Sequence, residues 1–353
     1  MKVIRNISLF LVLILSGCAA PEIEKKQINV NIFWPPPPAD PKIKFVEEFS
    51  SIEDMGIETK GGWLQNIIAG DKDVSARLIR PYGVAVDTDG KIYVADVGRV
   101  LVFDKKNGNF LLIGNKPGTV QLKMPIGIAV SADGKIYVSD AASERVFIYR
   151  RGGEFIGAIG SAGELKSPAG LAIDAINGRL YVADTKKHVV RAYAFDGNLL
   201  FSITGEGEDK GRFNFPTSIA VDSKCNIYVA DTGNFKVQVF DSDGKFIKAI
   251  GGGGKHNLFI RPKGIAIDSD GNIYVVDAAA QKFFMFNKEA KLLFSVGSGG
   301  AEPGQFSVPA GICVDAGDGI YVVDQLNGRI QVFQYLGEKW KASLSSQKQI
   351  TDK

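Results

Sequence analysis

The chain has 353 residues, and its 42 Lys and Arg so nearly balance 39 Asp and Glu that the formal charge is only +3. Without Lys2 and Arg5 of the N-terminal segment it falls to +1, which argues against a nucleic-acid partner. Three cysteines and no Cys-x-x-Cys-His leave no place for a c-type haem, and no cofactor is expected.

Residues 1–17 join a basic start to an apolar run from Ile7 to Leu15 that is too short to span a bilayer, and they read as a signal peptide. Leu15-Ser16-Gly17-Cys18 resembles the bacterial lipobox, in which the Cys is lipidated and becomes the acylated N-terminus of the mature protein. Membrane attachment through Cys18 is therefore expected, with an ordinary signal peptide and an incidental Cys as the alternative. Ala19 resembles the pattern of lipoproteins sorted to the outer membrane. Residues 18–41 form a Pro-rich tether in which Trp34-Pro35-Pro36-Pro37-Pro38 favours polyproline II. That segment is a semi-rigid stalk or, alternatively, a docking motif for a partner's aromatic groove.

Residues 42–340 read as one domain and 341–353 as a polar tail. Lys42 to Phe49 has strand character, and residues 52–79 look like a short helical insertion. Then one phrase returns six times: a Pro two residues before a Gly (Ser218 in the fourth copy), an apolar strand, a tight turn, and a Tyr-Val strand ending in Asp. The copies begin at Pro81, Pro125, Pro168, Pro216, Pro262 and Pro309, a period of 43 to 48 residues that signals a propeller or solenoid. A third strand follows (Val100 to Asp104 in the first copy, Arg329 to Phe333 in the last), and a fourth (Phe110 to Gly114 in the first copy) follows in each of the first five.

Four antiparallel strands per copy make a propeller blade, so the fold class expected is all-β, a six-bladed β-propeller of four-stranded blades. The first strand, read as uncharged, suits the crowded centre, where its Gly lets neighbouring backbones approach. After Arg329 to Phe333 the tail fits a fourth strand poorly, whereas Lys44-Phe45-Val46 fits well, with Phe45 matching Phe246. An N-terminal strand is thus expected to complete the sixth blade and lock the ring. Cys225 takes the place of a turn Gly and Cys313 that of a strand Ala, and both read as unpaired packing residues.

At Gly304-Gln305-Phe306, Pro309-Ala310-Gly311-Ile312, Tyr321-Val322-Val323-Asp324 and Asn327-Gly328-Arg329-Ile330-Gln331-Val332-Phe333 the sequence resembles the NHL-repeat propellers, over about residues 75 to 335. With the lipobox and the Pro-rich segment it looks like a bacterial NHL-repeat lipoprotein. That resemblance implies fold and an envelope location and little chemistry, since these propellers serve binding, sensory and enzymatic roles.

Asp96, Asp140, Asp184, Asp231, Asp277 and Asp324 end the second strands, and a second set, including Asp87, Asp222 and Asp268, ends first strands. A ring of carboxylates could bind a metal. The reading preferred is structural, because such Asp accept turn N–H groups and face a basic residue at the start of the third strand (Arg99, Arg145, Lys236, Lys282, Arg329). Function is instead expected where copies differ, on the face made by the fourth-to-first and second-to-third connections. Candidate partner-binding residues there are Lys123, Lys187, His188, Arg212, Phe235, Lys255, His256 and Arg261, with Phe213, Phe215 and Phe259 nearby; the alternative is ordinary solvated loops with their Phe residues tucked into blade interfaces.

His188 and His256 are the only histidines, too few for the ligand sets of amidating lyases on this fold, and no first strand carries the Glu of calcium-dependent lactonase-like propellers. Gly251-Gly252-Gly253-Gly254-Lys255 lacks the Gly and Ser or Thr positions of a phosphate loop. The expectation is a monomeric, non-catalytic propeller without a metal, binding a protein or polysaccharide; a metal-dependent hydrolase or lyase in the central pocket is the alternative.

Overall fold

The computed structural model describes residues 31–57, 76–115, 119–252 and 258–342. Each copy of the repeat is an antiparallel meander, because short β-branched and aromatic runs are separated by Gly- and Asp-bearing turns. In the first blade Gly83–Val86, Ile92–Asp96, Arg99–Asp104 and Asn109–Ile113 pair in chain order. Four more four-stranded sheets repeat this order, and their innermost strands are Pro125–Val130, Pro168–Asp174, Pro216–Val221 and Pro262–Ile267. The sixth begins at Pro309–Val314, so the protein is an all-β, six-bladed propeller.

The closing strand lies where its sequence pattern places it. Ile43–Phe49 pairs antiparallel with Arg329–Tyr335, with Phe45 opposite Phe333 as Phe246 is opposite Phe240 in the fourth blade. Arg329 ties this strand down through Nη1 to Glu48 Oε2 at 2.7 Å, while its Nε donates to Asp324 Oδ2 on the second strand of the same blade at 2.8 Å.

The described part of the Pro-rich segment is not an extended stalk. Phe33–Trp34 adds a fifth strand to the sixth blade, pairing with Lys44 and Ile43, and Pro35 to Pro38 form the turn between them. The reason is the Trp34 ring, which packs edge-on to Phe333 at 5.6 Å and covers Gly304, where a Cβ would lie 2.8 Å from the indole. Burying that aromatic surface outweighs the polyproline II preference of the prolines.

The centre is crowded as expected. A Cβ on Gly127 would fall 2.1 Å from Ala169 O, and one on Gly311 would fall 2.6 Å from Tyr82 O, where Gly311 N–H donates to that carbonyl at 3.0 Å and joins the sixth blade to the first. Charge does enter this layer, contrary to the reading of uncharged first strands: Asp174 ends Pro168–Asp174, and Lys263 lies near the start of Pro262–Ile267. Six separate apolar clusters fill the six interfaces between blades. The helix expected in residues 52–79 falls mainly on 58–75, outside the described residues; its flanks Ile52, Met55, Ile57 and Leu78 are buried against the first and sixth blades. The chain turns helically at 338–342, and the rest of the tail lies outside the described residues.

Candidate functional site

Antiparallel order places every fourth-to-first connection and every second-to-third turn at one end of the ring, and that end is held by the second-strand aspartates. All six are fully buried. Their carboxylates reach back 16 to 18 residues to accept N–H groups just before each repeat's Pro: Asp96 from Ile79 and Arg80, Asp140 from Lys123 and Met124, Asp184 from Lys166 and Ser167, Asp231 from Asn214, Asp277 from Ile260 and Arg261, and Asp324 from Ser307. The distances run from 2.6 to 3.1 Å.

The main partner of these aspartates is thus the preceding connection rather than the basic residue of the third strand. Arg99 and Arg329 do pair with Asp96 and Asp324, while Arg145 and Lys236 turn to the carbonyls of Gly160 and Glu208. The first-strand aspartates work at the opposite end, where Asp87, Asp222, Asp268 and Asp315 each accept the hydroxyl of the repeat's Tyr, at 2.7 to 3.1 Å. Asp231 and Asp268 have carboxyls held above the usual range by burial, against the donors that surround them.

On the loop face the candidates part company. Lys123, Arg212 and Arg261 are exposed, and Arg212 lies over the Glu206 carbonyl at 3.4 Å. Lys187 Nζ donates to Gly163 O at 2.6 Å. His188 is a packing residue: its Nδ1 accepts the Phe215 N–H at 3.2 Å and its ring lies 4.7 Å from the Phe215 ring. Phe215 and Phe235 remain in water, whereas Phe213 and Phe259 fill blade interfaces. Lys255, His256 and Cys18 lie outside the described residues. Cys225 and Cys313 are unpaired.

Sequence reasoning missed two features of this face. Large apolar side chains stand exposed around it, Ile79, Val97, Met124, Ile260 and Leu326 besides the two Phe. Each either precedes a repeat's Pro or sits in a second-to-third turn, so repeat alignment could have found them. The second is a left-handed position before each third strand, filled by Gly98, Glu144, His188, Phe235, Gln281 and Gly328 at φ between 53° and 69°. Only two of these are Gly, which hid the turn.

The face surrounds the mouth of a central cavity of about 750 Å³. Its walls come from the six first strands, and its lining contains no Asp, Glu or His; the charged members are Lys186 and Lys263. Burial, reinforced by the Arg261 and Arg80 guanidinium groups, holds the Lys263 ammonium below the ordinary lysine range. Among the described residues no group of three or more His, Cys, Asp and Glu side chains is placed to hold a metal ion.

Residues 121–206 and 206–287 match a family model described as a 6-bladed beta-propeller, and residues 306–333 match the NHL repeat. The E3 ubiquitin-protein ligase NHLRC1 of Homo sapiens is 27% identical over 93 residues, which are 26% of this chain and 24% of that protein. The Mus musculus protein is 29% identical over 94 residues, 27% and 23% of the two chains, so the match spans about a quarter of these relatives. Among solved structures, a Bacteroides thetaiotaomicron protein of unknown function superposes with a TM-score of 0.61 at 17% identity, over 83% of this chain and 75% of that one. An auxiliary nutrient binding protein from the same species gives 0.56 at 14%, over 73% and 69%, and a streptogramin B lyase 0.55 at 14%, over 73% and 94%. At such identities these likenesses describe the fold alone.

Proposed function

We propose that the protein is a non-catalytic binding propeller, lipid-anchored through Cys18 in the bacterial outer membrane, that offers its loop face to a protein partner. The observation that carries this reading is the ring of exposed apolar side chains on one face, Ile79, Val97, Met124, Phe215, Phe235, Ile260 and Leu326, interleaved with the exposed Arg80, Lys123, Lys186 and Arg261. Apolar anchors on rigid turns, with basic residues between them, suit a protein surface rich in carboxylates better than a polysaccharide. The nutrient binding protein of this fold is compatible with a binding role, and so is the absence of acidic or imidazole groups from the cavity lining.

A photo-crosslinking residue at Met124 or Phe235 in the native cell is expected to capture the same partner, while one at Leu293, exposed on an outer strand, captures none. Phe235→Asn keeps a residue that tolerates the left-handed conformation and should cut capture from Met124 about tenfold or more. Equal capture from the outer strand, or an unchanged yield with Phe235→Asn, would overturn the reading. For the anchor, Cys18→Ala should shift the protein from the membrane fraction to the soluble one; continued membrane retention would exclude the lipid.

A further inference from the structure

Comparing equivalent positions around the cavity separates what the ring requires from what it does not. At the floor, the last channel-facing position of each first strand is Val86, Val130, Ile173, Val221, Ile267 or Val314, six branched aliphatic side chains. At the mouth, the residue after each Pro is Tyr82, Ile126, Ala169, Thr217, Lys263 or Ala310. Five are uncharged, so propeller geometry asks for no charge there, and Lys263 departs from its five counterparts. Four residues of strand separate the rings, about 13 Å at the usual rise.

Lys263 is held in place. Thr217 Oγ1 donates to its carbonyl at 3.0 Å, Thr232 Oγ1 donates to Pro262 O at 2.6 Å, and the two hydroxyls lie 2.7 Å apart. Its ammonium has no carboxylate partner among the described residues, and its charged neighbours, Arg261 and Arg80, repel it. Lys186 adds a fourth cation at the rim. Half-burying an ammonium beside two guanidinium groups, without a counter-charge, disfavours its charged form unless an anion joins it.

We infer that the central cavity is a binding site for an amphipathic anion, whose apolar chain lies along the aliphatic channel and whose carboxylate or phosphate head sits on Lys263, with Arg80, Arg261 and Lys186 around it. The volume is in the range of small-molecule sites, and the cavity's own lining is apolar but for the lysines at its mouth, while Asp222, Asp268, Asp315 and Asp318 lie beyond the floor and would repel an anionic head there. The site shares Arg80, Lys186 and Arg261 with the loop face, but Phe235, the residue that tests that face, does not line the cavity, so the two readings fail separately.

Isothermal titration of the full chain carrying Cys18→Ala, so that neither acyl group nor detergent competes, tests this with four ten-carbon probes. Decanoate or decyl phosphate is expected to bind one to one, and the tighter of the two identifies the head group. Decanol and decyltrimethylammonium should bind about ten- to a hundredfold more weakly, the range of a charge-assisted hydrogen bond. Lys263→Met should erase the preference for the anion over decanol, and Lys263→Arg should keep it; circular dichroism confirms that both are folded. Equal binding of decanol and the anions, a preference that survives Lys263→Met, or no binding by either anion would overturn the proposal.

Discussion

Tyr137 and Tyr274 occupy the same place in the second and fifth blades, both fully buried, yet their hydroxyls fare differently. Tyr274 donates to Asp268 Oδ2 at 2.7 Å, whereas the residue equivalent to Asp268 in the second blade is Ser131 and the Tyr137 hydroxyl finds no partner among the described residues. Removing a donor from a buried carboxylate costs about 1–2 kcal/mol, while deleting an unsatisfied buried hydroxyl is neutral or stabilising. Tyr274→Phe should therefore lower the urea midpoint and Tyr137→Phe leave it unchanged or raise it. Equal effects would show that the Asp-Tyr pair contributes nothing. The same scale explains Cys225, which takes a turn position at φ 63° where other blades have Gly. Asp318 does so too, at φ 61°.

The closing strand shows what an element adds. Phe45 is 5% exposed, meets Phe333 edge-on at 5.7 Å and belongs to the cluster between the fifth and sixth blades, whereas its neighbour Lys44 points outward over Phe33. Phe45→Ala should cost about 3–5 kcal/mol by leaving a cavity, and Lys44→Ala no more than about 0.5. A matched pair of urea titrations decides this, and equal midpoints would mean that the N-terminal strand does not lock the ring. This strand was legible because Phe45 repeats the pattern of Phe246, and the aspartates were legible because they recur in every copy. The fifth strand at Phe33–Trp34 was not, since composition reports the preference of four prolines and not the distant Phe333 and Gly304 that capture Trp34. For Phe213 and Phe259 sequence left rim and interface equally open, and the closed ring decides: neighbouring blades close over both. Lys263 was passed over when the first strands were read as uncharged, because its place at the mouth exists only in the closed ring.

At the scale of the whole molecule, the channel joins ends of opposite character. Basic groups gather at the mouth, and a pocket of about 290 Å³ at the other end is lined by Asp222, Asp268, Asp315, Asp318 and Lys339. Between them the blades are stitched by buried tyrosines, which set a limit on the ring at high pH. Burial pushes the phenols of Tyr149 and Tyr335 up to about 12, and it is also the largest cause of the raised values at Tyr93, Tyr137, Tyr181, Tyr193, Tyr228, Tyr274 and Tyr321. Because these folded-state values exceed the unfolded value of about 10, the native ring holds its phenolic protons more tightly than the open chain. The resulting stabilisation is present in full below pH 10 and is lost as pH rises through the folded values. The urea midpoint should thus stay nearly level from pH 8 to 10 and fall steeply from 10 to 12. Tyr149, 2% exposed and without a hydroxyl partner among the described residues, isolates one contribution, so Tyr149→Phe should match the parent at pH 8 and lose less by pH 12. A midpoint level through pH 12, or a fall equally steep in Tyr149→Phe, would show that these rings take on water and ionise without opening the blades.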